Sequence, residues 1–451
     1  MAEAVLLKPD RKFVEEIIDS GGGDLKLCCQ CATCSVVCDL SSDSSPFPRK
    51  EMIWAQWGLK DRLMADPDVW LCHQCMDCSE RCTRGAKPGD VLAAVREQAV
   101  KHYATPQFLA GMVNRVKQIP VMFMLMPGFL LLLALLLRHP IEGMLGLGGS
   151  VHDDAFYASF FPHWLLIAFY TSLTMLAFVG LIGGLFKYWK AMKAADLAEG
   201  RQIGEVGVLT SFIRTVMAVL THKQFGRCTQ RANRKSTHLY AFYGFIALFV
   251  VTIYAVFDLY LFPVLGLDSM YPFNLMHPMK ILANIGGVVL IVGCMKGILD
   301  RKKDTSDSAG STSFDSIFIW LLLLVGITGF ITEIFRFTVG MDSHGGATQF
   351  IAYAIYYIHL MCVFGLLVYL PYSKFAHIWY RTLAMVYAEY SGRTKEITGP
   401  VPAAPVAVEV QEVVAESEEA SAGDTSEEST EGSTEESEEE PESEDTTDST
   451  Q

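Results

Sequence analysis

CCQCATCSVVC at residues 28–38 places five cysteines in eleven positions, and CHQCMDCSERC at residues 72–82 repeats the arrangement. With Cys29 set aside, each run reads C-x2-C-x2-C-x3-C: Cys28, Cys31, Cys34 and Cys38, then Cys72, Cys75, Cys78 and Cys82. Nine of the twelve cysteines in the 451-residue chain fall between residues 28 and 82. The opening MAEAVLLKPDRKFVEEI has no continuous apolar core of the kind a secretory leader carries. The cysteines are therefore expected in a reducing compartment, where clustered thiols hold metal rather than pair as disulfides.

A run of this spacing is the ligand pattern of two-cluster ferredoxins. Three thiolates on a tight loop reach three corners of one cubane, and the fourth leaves on a helix that aims it at the other cluster. The expected sets are Cys28, Cys31, Cys34 and Cys82 for one [4Fe–4S] cluster, and Cys72, Cys75, Cys78 and Cys38 for the second. Structural zinc sites, the rival use of such thiols, join two short Cys-x-x-Cys hooks and need no run of four. Cys29 is a ninth thiol, either a bystander or an alternative ligand. Asp39 and Thr83 stand where a proline usually closes such a run. Among the 33 residues between the runs, Met52, Ile53, Trp57 and Leu63 predict a helix after Pro48, so helices rather than a small sheet should frame the clusters.

The rest of the chain has a different solvent. Mean hydropathy is +0.27 and 51% of residues are apolar, high for a soluble protein. Six stretches are long enough to cross a hydrocarbon core: 121–137, interrupted by Pro127 and Gly128, then 164–186, 239–261, 278–298, 317–339 and 351–371. Residues 187–235 carry ten Lys or Arg against three acids, and DRKKD follows the fourth stretch, whereas the loops at 262–277 and 340–350 carry no Lys or Arg. By the positive-inside rule the basic side is cytoplasmic, which puts the cysteine domain and the C-terminus there in an inner-membrane, multi-pass protein surrounded by lipid. Within the basic segment, Val208, Leu209, Phe212, Ile213, Val216 and Leu220 recur at helical spacing, for a helix that lies along the membrane surface or packs on the N-terminal domain. Residues 400–451 hold eighteen acids and no Lys or Arg, so the formal charge of −14 belongs to this tail and the chain before it sums to +4. The tail is expected to be disordered.

Ionisable side chains in hydrocarbon are functional candidates. His359 and His377 are 18 residues apart, five whole turns, which predicts one shared face of the sixth helix with the two histidines about 27 Å apart along its axis. That arrangement suits two b haems stacked across a membrane. His238 enters the third helix on the cytoplasmic side and is the expected partner of His377; His277 is the expected partner of His359, with His163 as the alternative. His73, His102, His139, His152 and His222 read as surface, His344 as loop, and Cys228, Cys294 and Cys362 as packing thiols. Glu333 and Arg336, three apart, pair with each other or touch a quinone headgroup, and Lys280 is a similar case. GMLGLGGS at 143–150 lacks the strand–turn–helix setting of a nucleotide site.

Two ferredoxin-type runs followed by a membrane domain with His238, His359 and His377 resemble the C component of quinone-interacting membrane-bound oxidoreductases, which is similar to a fusion of the heterodisulfide reductase C and E proteins. The spacer resembles the α-helical ferredoxin domain of heterodisulfide reductase C and of the succinate dehydrogenase iron–sulfur protein. The membrane half resembles the nitrate reductase gamma subunit, where an earlier helix carries two histidines about ten apart. Here Leu248 stands ten past His238. The resemblance covers roughly residues 10–395 and implies a mainly α chain with a two-[4Fe–4S] domain at 1–105 and a six-helix cytochrome b domain at 106–395 with a cytoplasmic connector at 188–237; the acidic tail at 396–451 lies outside it. It also implies electron transfer between menaquinone and flavoprotein subunits resembling heterodisulfide reductase A, linked to adenylylsulfate reductase in sulfate reduction. Nucleic acid is not an expected partner. The alternatives are a membrane subunit of a heterodisulfide- or sulfite-reductase-type complex, or a membrane redox sensor or transporter carrying a ferredoxin domain.

Overall fold

A computed structural model describes residues 8–42, 45–113, 121–145, 157–201, 203–204, 206–222, 233–303, 313–338 and 346–394. The acidic tail, Cys228, His152, His344 and most of the 143–150 glycine stretch lie outside these residues. Among the described residues there is helix and no strand.

The N-terminal part is a set of short helices around one longer one: α1 Arg11–Asp19, α2 Thr33–Val36, α3 Arg49–Gln56, α4 Lys60–Ala65, α5 Asp68–Leu71, α6 Asp77–Glu80, α7 Pro88–Tyr103 and α8 Gln107–Val113. Asp10 caps α1 by accepting the Phe13 N–H at 3.1 Å, which turns Phe13 and Ile17, one helical turn apart, into the core. The expected helix after Pro48 is present as α3 and α4, parted by Gly58 at φ +64. Pro88 opens α7, where a missing N–H costs nothing. The middle of α7 is buried on most sides (Val91, Leu92, Val95, Ala99), as fits a helix enclosed by the others.

Six helical segments are long and apolar enough to cross a membrane: Val121–Ile141, His163–Ala198, Lys235–Val264, Pro278–Lys303, Ser316–Thr338 and Ala347–Val368. Between 6% and 33% of their apolar windows is buried within the chain, so most of that surface requires an apolar solvent. They correspond to α9 Met126–Leu145 with a preceding π-type turn, α10 His163–Ala198, α12 Asn233–Val256 extended through a second π-type turn and α13 Phe262–Val264, α14 Pro278–Lys303, α15 Ser313–Thr338 and α16 Ala347–Val368. Helix α11, Val208–Leu220, lies between α10 and α12 in the chain, and α17, His377–Tyr390, follows α16. Helices α12 and α14 pack backbone to backbone: a Cβ on Gly244 would fall 2.6 Å from the Leu290 nitrogen, a contact only glycine permits.

The sixth span corrects one expectation. It ends at Val368, and 3₁₀ turns at Leu370–Tyr372 and Lys374–Ala376 separate it from α17, which begins at His377. Pro371 has no N–H to continue the α16 ladder, and Ser373 is extended. His359 and His377 therefore sit on two helices, and the argument from a shared face does not hold.

Helix α10 has 36 residues, about 54 Å, which exceeds the roughly 30 Å of hydrocarbon by several turns. Its far end carries Tyr188, Met192 and Asp196, all buried. Tyr188 tilts against Tyr103 of α7 at 5.2 Å, Tyr380 of α17 lies 5.8 Å from Tyr188, and Trp70 of α5 stacks on Tyr380 at 5.5 Å. Gly184 lets the end of α7 approach, since a Cβ there would meet the Tyr103 carbonyl at 2.8 Å. One apolar core thus runs from Phe13 through Val95 to Tyr188 and Tyr387.

A buried charge network fastens the same junction. Lys50 Nζ lies 3.2, 3.1 and 2.9 Å from Glu51, Asp66 and Asp68. Arg393, just after α17, lies 3.5 Å from Asp66, 3.7 Å from Asp68 and 3.9 Å from Asp196 of α10, and the Tyr387 hydroxyl donates to Asp196 at 2.8 Å. The three carboxylates around Lys50 resemble a cation site, and the ammonium already fills it. Burial raises the Asp66 pKa, but Lys50 and Arg393 outweigh it and leave the carboxyl at about 2. Burial, against the pull of Lys50, holds the Glu51 pKa well above the ordinary carboxylate range.

Lys50→Ala leaves these acids without their ammonium and is expected to cost about 3–5 kcal/mol, read as a lowered denaturant midpoint of the detergent-solubilised protein. Glu51 in the folded chain keeps a proton that the unfolded chain releases above about pH 4.3, so its contribution to stability falls as pH rises through that range. Glu51→Gln should flatten this dependence and be the more stable protein at pH 7, which thermal midpoints at pH 5 and pH 7 will test.

Candidate functional site

The two cysteine runs fold alike. Gln30 and Ala32 in the first, and Gln74 and Met76 in the second, occupy the left-handed region, with φ of 62°, 66°, 53° and 70°. These are the second and fourth positions after Cys28 and after Cys72. Residues bearing a Cβ adopt this conformation only where the surroundings impose it, and ligand clamps are such places. Helices α2 and α6 start directly afterwards and carry the chain toward Cys38 and Cys82.

The fourth cysteine of each run crosses to the other. Cys28, Cys31, Cys34 and Cys82 line one pocket with Cys29, Arg49, Arg84, Ala86 and Pro88. Cys38 lies among Cys72, Cys75 and Cys78, and Cys78 also feels Cys34, so the two sets adjoin. Hydrogen bonds reach the sulfurs: Gln74 N–H to Cys72 at 3.3 Å, Ala86 N–H to Cys82 at 3.3 Å and Gln30 Nε2 to Cys28 at 3.3 Å. Burial pushes the Cys34 thiol up to about 11 and Cys38 up to about 12, and raises Cys28 and Cys78. Cys31 is exposed, and the Thr33 hydroxyl beside its sulfur at 3.3 Å lowers it. Buried thiols so close together become thiolates only around a strongly cationic centre. The donor set fits a [4Fe–4S] cluster in each place: soft sulfur ligands, N–H groups aimed at sulfur, and in the first pocket two guanidinium groups and no carboxylate.

In the membrane half, His377 Nδ1–H donates to the Lys374 carbonyl, which leaves Nε2 as the lone-pair nitrogen of a neutral ring. His359 does the same by another route. The Thr328 hydroxyl donates to the Leu324 carbonyl at 2.6 Å, so its oxygen accepts from His359 Nδ1 at 2.9 Å. Both rings thus hold the tautomer that a metal takes at Nε2. His238 is near enough to bear on His377 electrostatically, and His222, read as surface, has its ring 5.5 Å from that of His238. His277 differs: its Nδ1 accepts the Met279 N–H at 3.2 Å at the start of α14, and its ring stacks on Phe273 at 4.5 Å. His163 reaches the same aromatic group, 5.5 Å from Tyr271, which lies 5.6 Å from Phe273. The two expected candidates for the partner of His359 therefore share one aromatic cluster.

Glu333 pairs with Lys280 at 3.0 Å and accepts from Asn284 at 3.1 Å, joining α14 to α15, while Arg336 lies over Phe337 at 5.3 Å. Glu333 and Lys280 are thus paired structurally, as one of the two expected readings had it, but with each other rather than Glu333 with Arg336. Cys294 is buried in an apolar cluster, a packing thiol as expected. Helix α11 packs Ser211 and Thr215 inward, with Arg214 bonded to Glu389 of α17 at 2.8 Å, and leaves Leu209, Phe212, Ile213 and Met217 exposed.

These features define a membrane-spanning protein with a paired cysteine domain. Residues 114–397 match the family model described as Citrate utilization protein B, and the chain belongs to that family. It is 30% identical to Citrate utilization protein B of Escherichia coli over 336 residues, 70% of this chain and 80% of that protein. It is also 40% identical over 93 residues to the C subunit of the H(2):CoB-CoM heterodisulfide,ferredoxin reductase of Methanothermobacter marburgensis, 20% of this chain and 50% of that one. A third relative, the C 2 iron-sulfur subunit of the CoB–CoM heterodisulfide reductase of Methanocaldococcus jannaschii, is 33% identical over 109 residues, 22% of this chain and 58% of that protein. The chain thus spans 80% of the first relative's length, 50% of the second's and 58% of the third's. No solved structure matches.

Sequence reasoning missed His73 and Arg381. Arg381 NH2 donates to His73 Nδ1 at 3.0 Å, joining α17 to the second cysteine loop. The one signal in the sequence was the position of Arg381 a turn after His377. In metal-free protein at pH 8, iodoacetamide should modify Cys31 well before Cys34, Cys38 and Cys78, an order that peptide mass spectrometry will read directly.

Proposed function

We propose that the chain is the membrane-bound electron-transfer subunit of a heterodisulfide-reductase-type complex. The observation that carries this reading is the crossed thiol arrangement, Cys28, Cys31, Cys34 and Cys82 in one pocket and Cys38 among Cys72, Cys75 and Cys78, on a domain cored together with membrane helices. Each set would hold one [4Fe–4S] cluster. His238 and His377 would hold a b haem, and His359 a second, with His277 as partner and His163 as its rival. When bound, these groups supply one-electron carriers in series.

The residues of the chain orient and shield. Lys374 and Thr328 fix the tautomers of His377 and His359, the N–H groups of Gln74 and Ala86 favour thiolate at Cys72 and Cys82, and Trp70, Tyr188 and Tyr380 fill the junction with apolar rings. Basic residues at 187–235 support placing the cysteine domain in the cytoplasm. The proposed partners are reductase subunits resembling heterodisulfide reductase A on the soluble side and a quinone such as menaquinone in the bilayer; a link to adenylylsulfate reductase rests on the resemblance alone. The proposed division is 1–105, 106–395 and 396–451.

The purified protein should contain iron and acid-labile sulfide for two [4Fe–4S] clusters, and b haem. Cys31→Ser should lose one cluster signal in electron paramagnetic resonance and keep its haem, while His377→Ala should keep both clusters and lose haem. Bound zinc without sulfide would overturn the proposal.

A further inference from the structure

The two cysteine loops share one backbone but not one environment. Position for position, Cys29 of the first loop corresponds to His73 of the second, and Ala32 to Met76. In the first loop Cys29 and Cys31 are exposed, and Leu27 and Val36 beside it are 48% and 85% exposed. In the second, Cys72, Cys78 and Met76 are buried. What covers the second loop is α17: Arg381 NH1 donates to the Cys72 carbonyl at 3.1 Å and NH2 to His73 Nδ1 at 3.0 Å. Arg96 of α7 donates to the same carbonyl at 2.7 Å, so Cys72 is held by two guanidinium groups. Since a guanidinium only donates, His73 is neutral with its proton on Nε2. Arg381 stands one helical turn from His377, about 6 Å along the axis of α17. The loop, His73 and Arg381 are thus hydrogen-bonded to one another, with His377 one turn away on the same helix and Trp70 stacked on Tyr380 beside them.

We infer that the thiol set Cys72, Cys75, Cys78 and Cys38 is the membrane-facing one, that the set Cys28, Cys31, Cys34 and Cys82 faces the soluble partner, and that Arg381, seated on His73, is the positioning residue joining the membrane-facing set to His377. This rests on the reading of the thiol sets as cluster sites. A fixed cation beside one set stabilises added negative charge there and leaves the exposed set alone, because charge and hydrogen bonding near the sulfurs are what tune such centres.

The test is a redox titration of both cluster signals by electron paramagnetic resonance in the full-length, membrane-extracted protein. Cys31→Ser and Cys75→Ser first identify which signal belongs to which set. Arg381→Gln should then lower the midpoint potential of the signal abolished by Cys75→Ser and leave the other in place, and Arg381→Lys should restore most of the shift. Should Arg381→Gln fail to assemble, His73→Asn and Arg381→Lys carry the same comparison, with a smaller downward shift confined to the same signal. A shift of the signal abolished by Cys31→Ser, an equal shift of both, or no shift of either overturns the inference while the cluster reading stands. Absence of any cluster signal in the unmodified protein overturns both.

Discussion

The rest of the structure depends on how Lys50 and Arg393 are buried. Each takes part in a set of carboxylates drawn from different stretches of chain: Lys50 gathers Glu51, Asp66 and Asp68 of the cysteine domain, and Arg393 ties Asp66 and Asp68 to Asp196 at the far end of α10. Desolvating so many charges is favourable only when all partners are present together, so the network forms in one register or not at all. That requirement fixes where the cysteine domain rests on α10 and α17. The aromatic contacts of Trp70, Tyr103, Tyr188 and Tyr380 add apolar burial at this junction but, being non-directional, specify the register less sharply.

Much of the site was legible in the sequence because its determinants are local. Ligand spacing within Cys28–Cys38 and Cys72–Cys82 depends on a few bonds of backbone, and the crossing of Cys38 and Cys82 follows once each run turns into a helix. The six spans were legible because composition alone decides whether a helix prefers lipid. What the sequence did not disclose depends on tertiary partners. Helical phase put His359 and His377 on one face, whereas Pro371 divides the segment into two helices. Spacing offered Glu333 either Arg336 or a quinone headgroup, whereas its partner is Lys280 of α14. Nothing near His73 in sequence announces that Arg381, more than three hundred residues later, will bond to it.

Helix α11 shows how periodicity can identify a helix without saying which face turns inward. Its apolar residues repeat as expected, yet Ser211 and Thr215 are the residues that pack on α17, because a small polar face permits close approach while Leu209, Phe212 and Ile213 stay outside. Kinship divides the chain in a similar way: family membership covers residues 114–397, while the heterodisulfide reductase C relatives each align with about a fifth of the chain.

Helix α10 runs unbroken for 36 residues and carries its own contacts to the cysteine domain at Tyr188 and Asp196. A continuous rod anchored at its far end has no joint about which the domain can swing. The cysteine domain is therefore held to the bundle by a helix rather than by a loop. In a protein built this way, the cysteine domain and the long helix move as one body, and a change of orientation between them would require breaking a helix rather than bending a linker.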